Sequence, residues 1–269
     1  MDRRETKMRH FILVHGMCHG AWCWYKVASM LKSAGHRVTA VDLAGSGVDP
    51  RRIEELRSFA EYSQPLMDAM AAAAEVDGRE RAIVVGHSLG GLSIALAMQK
   101  FPQNVAAAVF VAAVMPSSSN PMSCITKEFG KKGWEKFYMD SKFSISHNHN
   151  QIPVSSIAFG PHFMSDKLYQ HSPPEDFVLA TMLVRPGRLF IEDAMIDEIA
   201  TEKSSYELVS RVYVVCKDDK SMTEEFQRWM IERSPGAEVK EIEGADHMVM
   251  LSKPKELFDL LMEIASKYY

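Results

Sequence analysis

Ala82-Ile83-Val84-Val85-Gly86-His87-Ser88-Leu89-Gly90 decides the fold. Its first four residues are apolar, mostly β-branched and without polar alternation. That predicts a short strand buried on both faces, as in a parallel sheet. The next five spell Gly-x-Ser-x-Gly. Beyond them Leu92, Ile94, Ala95, Leu96 and Met98 keep helical spacing, with no proline before Pro102. Strand, tight turn and helix make the pentapeptide a candidate nucleophile elbow, with the serine hydroxyl held at the strand's C-terminal end. Glycines suit so sharp a turn, because a Cβ on either side would collide with the returning chain.

The pattern repeats on both sides of the elbow. His10–Val14 predicts a first strand, Trp24–Ala34 a helix ended by Gly35, and Arg37–Asp42 a second strand followed by a loop to Pro50. Ser58–Val76 predicts a long helix that Pro65 kinks or divides. Val105–Val111 is another apolar strand. Alternation then stops from Pro116 to about Tyr206, where serines, prolines, aromatics and a His147-Asn148-His149-Asn150 loop leave only helical fragments such as Glu175–Leu183. It resumes with a strand at Arg211–Cys216, a helix at Thr223–Glu232, a strand at Glu238–Ile242 and a helix at Lys253–Tyr268. Buried strands alternating with helices demand a parallel sheet covered on both faces. The expected architecture is one α/β core from residues 1–115 and 207–269, with 116–206 inserted as a mainly helical cap. Such a cap belongs over the C-terminal strand ends, where open α/β sheets bind ligands.

The bulk properties narrow the function classes. The 269 residues suffice for one large domain with a sizeable core. A net charge of −4 offers no electrostatic case for nucleic acid or an anionic membrane. The polar start, Met1 to Lys7, has no signal-peptide core, and the apolar run Val105–Met115 is too short to span a bilayer. Cys18, Cys23, Cys124 and Cys216 have no metal-like or redox spacing, so reduced thiols in a cytoplasmic protein are expected. The 18 methionines suit irregular cores and adaptable apolar pockets.

A serine hydroxyl needs a base to become a nucleophile near neutral pH. Among ten histidines, His247 stands out, because Glu243-Gly244-Ala245-Asp246-His247 lies between a strand and a helix, on the same rim as Ser88. An acid must orient that imidazole. Asp218 and Asp219 both end the Arg211–Cys216 strand on this rim, and Ser, Asp, His is the chain order of α/β-hydrolases. Asp246 is a poor orienter, since successive side chains diverge. The oxyanion needs two amide donors: Leu89, after the nucleophile, and Met17 in the His15–Gly20 loop, where Gly16 allows close backbone approach.

These residues also carry a resemblance. His10–Gly16 with Cys18-His19-Gly20-Ala21-Trp22, Gly35–Leu43, the Gly86–Gly91 elbow, Phe226-Gln227-Arg228-Trp229 and Gly244–Met248 resemble the plant methylesterase family of α/β-hydrolases. The likeness runs from about His10 to Tyr268 and thins between Ser117 and Ser156. It implies an α/β-hydrolase fold and a cofactor-free, metal-free esterase cleaving small methyl esters such as methyl salicylate, methyl jasmonate or methyl indole-acetate. Matched residue by residue, it implies a triad of Ser88, Asp219 and His247 and oxyanion amides at Met17 and Leu89. It places substrate contacts at Gly16, His19, Val114, Phe129, Tyr138 and Phe143. The family's salicylate binder departs from this chain at Val114 and Tyr138, which weighs against salicylate.

Three functions are thus in view. The first is hydrolysis, with a small methyl ester or its acid as the partner and a homodimer left open. The second is a receptor-like binder with incidental turnover. The third is a hydroxynitrile lyase, but that sister group resembles this chain except for a threonine at Gly16 and a lysine at Met248, and a methionine cannot stabilise cyanide.

Overall fold

The computed structural model describes residues 8–77, 81–147, 151, 153–191, 193–199 and 206–269. The polar start (1–7) and positions 148–150 of the His/Asn-rich loop lie outside the described residues. The strands are β1 His10–Val14, β2 Arg37–Val41, β3 Ala82–His87, β4 Val105–Val111, β5 Lys142–His147, β6 Pro153–Ala158, β7 Gly187–Arg188, β8 Arg211–Cys216 and β9 Glu238–Ile242. Six of them form one parallel sheet in the order β2-β1-β3-β4-β8-β9. The four inner strands are buried along their whole length. Their side chains alternate between two cores, with Val84 and Phe110 in one and Ile83, Val85 and Val109 in the other. Helices cover both faces, as buried parallel strands require.

Register brings the strand ends together. Val14 lies opposite Gly86, His87 opposite Val111, Val111 opposite Val214, and Cys216 opposite Ile242. The loops carrying residues 15–20, 88–89, 112–115, 217–222 and 243–248 therefore leave one rim of the sheet.

The helices follow the sequence expectation, including a division of the long one near Pro65, with small differences at their starts. A 3₁₀ turn at Ala21–Trp24 precedes the first helix, Tyr25–Ser33. The long helix divides into Phe59–Tyr62 and Gln64–Asp77. Ser58 caps the first piece by accepting the Glu61 amide at 3.1 Å. Pro65 then falls in the first turn of the second piece, where its missing N–H costs no hydrogen bond. The last expected helix forms as Pro254–Tyr268, with Pro254 in its first turn, and a short helix at Val249–Ser252 precedes it.

Between β4 and β8, described helical residues outnumber strand residues, but β5, β6 and β7 also form an antiparallel sheet, contrary to the expectation of helical fragments alone. Pro153-Val154-Ser155-Ser156-Ile157-Ala158 has no clean two-residue alternation; its strand state comes from pairing with neighbours. No described helix is long and apolar enough to cross a membrane.

Gln227, fully buried on the helix Glu224–Glu232, closes the end of β8. Its Oε1 accepts the Cys216 amide at 3.0 Å, and its Nε2 donates to the carbonyls of Cys216 (2.9 Å) and Met222 (2.6 Å). Gln227→Met keeps the volume but strips buried partners, and should destabilise by about 2–4 kcal/mol in urea unfolding. A loss below about 0.5 kcal/mol would show that this clasp is dispensable.

Candidate active site

Ser88 leaves β3 at a φ of +53°, a left-handed conformation for a residue with a side chain. Three backbone bonds hold it there. Its amide donates to the Val111 carbonyl (3.4 Å), and its carbonyl accepts from the amides of Gly91 (3.1 Å) and Val114 (2.9 Å). The chain is so tightly crossed beneath it that a Cβ on Gly90 would stand 2.5 Å from the His15 carbonyl oxygen. The helix Gly90–Lys100 can start directly under β1 only because that position has no side chain.

The loops after β8 and β9 bring Asp219 and His247 together. Asp219 Oδ2 accepts from His247 Nδ1 at 2.7 Å, while Asp219 Oδ1 accepts the amides of Ser221 (2.7 Å) and Met222 (2.8 Å). Both side chains are buried. A carboxylate acceptor puts the imidazole proton on Nδ1 and leaves Nε2 as the basic nitrogen. Asp218, the other candidate, is half exposed and lies 3.2 Å from His171 Nε2. Asp246 does not orient His247. It accepts the His171 amide (2.9 Å) and the hydroxyls of Ser172 (2.9 Å) and Ser252 (2.7 Å). Burial nevertheless raises its carboxyl above the ordinary range.

Three more buried histidines surround this pair. His87 Nε2 donates to the His247 carbonyl at 2.8 Å, and the two rings lie 4.6 Å apart. Burial holds His87 well below the usual imidazole range, and the nearby His247 adds to the shift. His15 Nδ1 donates to the Gly16 carbonyl at 2.8 Å, while its Nε2 accepts the Leu43 amide at 3.1 Å. His19 Nδ1 donates to the Met17 carbonyl at 2.9 Å and its Nε2 accepts from the Tyr169 hydroxyl at 2.6 Å. His15 and His19 thereby fasten the carbonyls on either side of the Met17 amide. Among the described residues, neither the Met17 nor the Leu89 amide donates to another protein group. Both remain available to a developing negative oxygen.

A cavity of about 540 Å³ opens above the elbow. Gly16, Met17, His19, Ser88, Leu89, Val114, Phe129, Tyr138 and His247 line it, and Asp219 sits behind His247. Phe143 stands outside it, 42 % exposed on β5, its ring edge-on to Tyr138 at 5.4 Å. The aromatic wall that sequence reasoning missed comes from Phe159 and Phe163, which flank Gly160-Pro161, together with Phe190 and Phe226. The Gly-Pro turn inside an aromatic stretch was the available signal. A Cβ on Gly16 would come 2.8 Å from Ser88 Cβ, so this position leaves no room for a side chain beside the serine.

The described residues contain no cluster of three or more His, Cys, Asp or Glu side chains able to hold a metal ion. His247 Nε2 is thus free to accept a proton, and the Met17 and Leu89 amides belong to the same cavity lining as Ser88. Comparison with known proteins agrees with this chemistry. Residues 11–260 match the model of the alpha/beta hydrolase family, and the chain belongs to that family. It is 53% identical to a probable esterase, PIR7A, of Oryza sativa subsp. indica, over 98% of this chain and 99% of that one. It is 46% identical to methyl jasmonate esterase 1 of Vitis vinifera over the full length of both. The crystal structure of polyneuridine aldehyde esterase superposes with a TM-score of 0.88 at 42% identity, covering 96% of this chain and 100% of that one.

The neutral histidines make stability depend on pH. Burial lowers His19 to about 4, whereas an unfolded chain binds that proton near 6.5. Between these values the unfolded state holds more protons, so stability falls as the pH drops from 6.5 toward 4. His19→Gln should lessen that slope by up to about 1.4 kcal/mol per pH unit, measured by urea unfolding at several pH values. An unchanged slope would mean that His19 takes up its proton alike in the folded and unfolded chains.

Proposed function

We propose that the protein is a serine carboxylesterase that hydrolyses small methyl esters with compact apolar acyl groups, releasing the free acid and methanol. The observation that carries this reading is the 2.7 Å Asp219–His247 hydrogen bond beside a serine held at positive φ under an apolar cavity. In the first half-reaction His247 Nε2 takes the Ser88 hydroxyl proton as Oγ bonds to the ester carbonyl carbon. The negative oxygen of the tetrahedral intermediate accepts from the Met17 and Leu89 amides. The carbon–methoxide bond then breaks, His247 returns its proton to the leaving oxygen, and methanol departs. In the second half-reaction water gives its proton to His247 and attacks the acyl-serine, freeing the acid and restoring Ser88. Asp219 keeps the imidazole in the productive tautomer and offsets its transient charge.

Two further observations favour turnover over retention or cyanohydrin cleavage. Among the described residues lining the cavity the one lysine or arginine is Lys127, and it is exposed, so an acid product meets no buried cation that would hold it. Met248, next to His247, is fully buried and uncharged, and it cannot stabilise a cyanide leaving group. Three buried free thiols, Cys18, Cys23 and Cys216, suit a reducing cytoplasm.

Ser88→Ala should lower kcat by at least about 10³-fold with an unchanged circular dichroism spectrum and Tm. Retention of more than a few per cent of kcat would refute the assignment. Asp219→Asn should cost about 10³–10⁴-fold in kcat by presenting the wrong tautomer, while Asp218→Asn should stay within about threefold, because its carboxylate is exposed. The acyl preference is read from kcat/KM over methyl salicylate, methyl jasmonate, methyl indole-acetate and aliphatic methyl esters. An aromatic and methionine-rich wall should favour the bulkier apolar acids by about 1–3 kcal/mol over short aliphatic ones.

A further inference from the structure

Lys132 lies in the inserted segment between the helices Met122–Gly130 and Trp134–Tyr138. A lysine there would ordinarily extend into solvent. Its ammonium instead turns inward, 4.7, 5.2 and 5.3 Å from the ring centroids of Phe129, Phe137 and Phe226. Within this aromatic cage it donates to the Ser221 carbonyl at 2.8 Å. The amide of the same Ser221 donates to Asp219 Oδ1 at 2.7 Å. The cation is thus linked through one residue to the carboxylate that orients His247, and Phe129 and Phe226 also line the cavity.

The other charged or titratable groups around this pair leave Lys132 as its counter-charge. His87 and His19 are kept neutral by burial. Asp246 is occupied by His171, Ser172 and Ser252. Tyr213 and Cys216 on β8 are buried and uncharged. Lys167 and Lys220 pair with Asp166, Asp218 faces His171, and Glu225 adds an acid near Lys132. Burial lowers the Lys132 ammonium and the Asp219 carboxylate pulls it back up.

Resting on the esterase reading, we propose that Lys132 is a positioning residue for hydrolysis: its ammonium fixes the Ser221 peptide that holds Asp219 and balances the buried carboxylate against which His247 is set. A carboxylate alone favours the imidazolium, and a cation beside that carboxylate opposes it. The inserted segment therefore contributes to the base as well as to the pocket wall.

The test compares wild type, Lys132→Met and Lys132→Arg. One readout is kcat and KM for p-nitrophenyl acetate across pH. The other is the low-field Nδ1 proton resonance of His247, identified by its absence from His247→Gln. Lys132→Met should move the acid limb of kcat and the titration of the resonance upward by about half a pH unit or more. At pH 6, kcat should fall at least about threefold with KM within about twofold. Lys132→Arg should restore both midpoints. Unmoved midpoints in Lys132→Met, with or without loss of kcat, would overturn the proposal and leave Lys132 a packing residue. If wild type and Ser88→Ala prove equally inactive, the esterase reading fails, and the resonance alone decides the role of Lys132.

Discussion

A serine at a φ of +53° costs about 1–3 kcal/mol of backbone strain, and it persists only where its surroundings over-determine it. Here the surroundings are the ends of two neighbouring strands. The elbow's carbonyl is tied to Val114, just past β4, and its amide to Val111. The turn crosses the end of β1, where a Cβ on Gly90 would stand 2.5 Å from the carbonyl oxygen of His15, the residue after that strand. Since β1, β3 and β4 are in fixed register, setting Ser88 also sets where the Met17 loop and the Val114 wall emerge. The amides, the hydroxyl and one wall of the cavity are thus placed by a single crowded crossing.

The second constraint is the cost of burying charge. Four histidines meet near Ser88, and an unpaired imidazolium in so dry a place would be expensive. Burial keeps three of them uncharged, and backbone carbonyls hold their rings in place: His15 on Gly16, His19 on Met17, and His87 on His247. His247 alone has a carboxylate on its ring, so it is the one equipped to carry a positive charge for a moment. The division of labour follows from acceptor type. Carbonyls hold rings still, while a carboxylate also compensates charge.

The sheet was legible because its inner strands are apolar runs with little alternation, while the edge strands β2 and β9 carry polar residues and are only partly buried. The elbow was legible because a sharp strand-to-helix turn demands small residues around one functional side chain. Asp218 and Asp219 could not be separated by residue reading, since both are acids at one strand end. The turn separates them: only Asp219 receives the Ser221 and Met222 amides. The inserted segment was least legible. β6 lacks clean alternation, although Lys142-Phe143-Ser144-Ile145-Ser146 in β5 does alternate, and Phe143 ends up behind Tyr138 while Phe159 and Phe163 reach the cavity. Such a choice depends on how a segment docks, which spacing along the chain does not encode.

Asp246 ties these levels together. It joins the loop that bears His247 to His171 and Ser172 in the inserted segment, and to Ser252 at the start of the closing helices. Met248 adds a backbone bond to Leu168. During synthesis the serine, the inserted segment and Asp219 all leave the ribosome before residue 247. The last component of the site is therefore seated onto a scaffold whose other parts are already made. On the esterase reading proposed above, a nascent chain lacking its final strand and helices carries Ser88 without the residue proposed as its base.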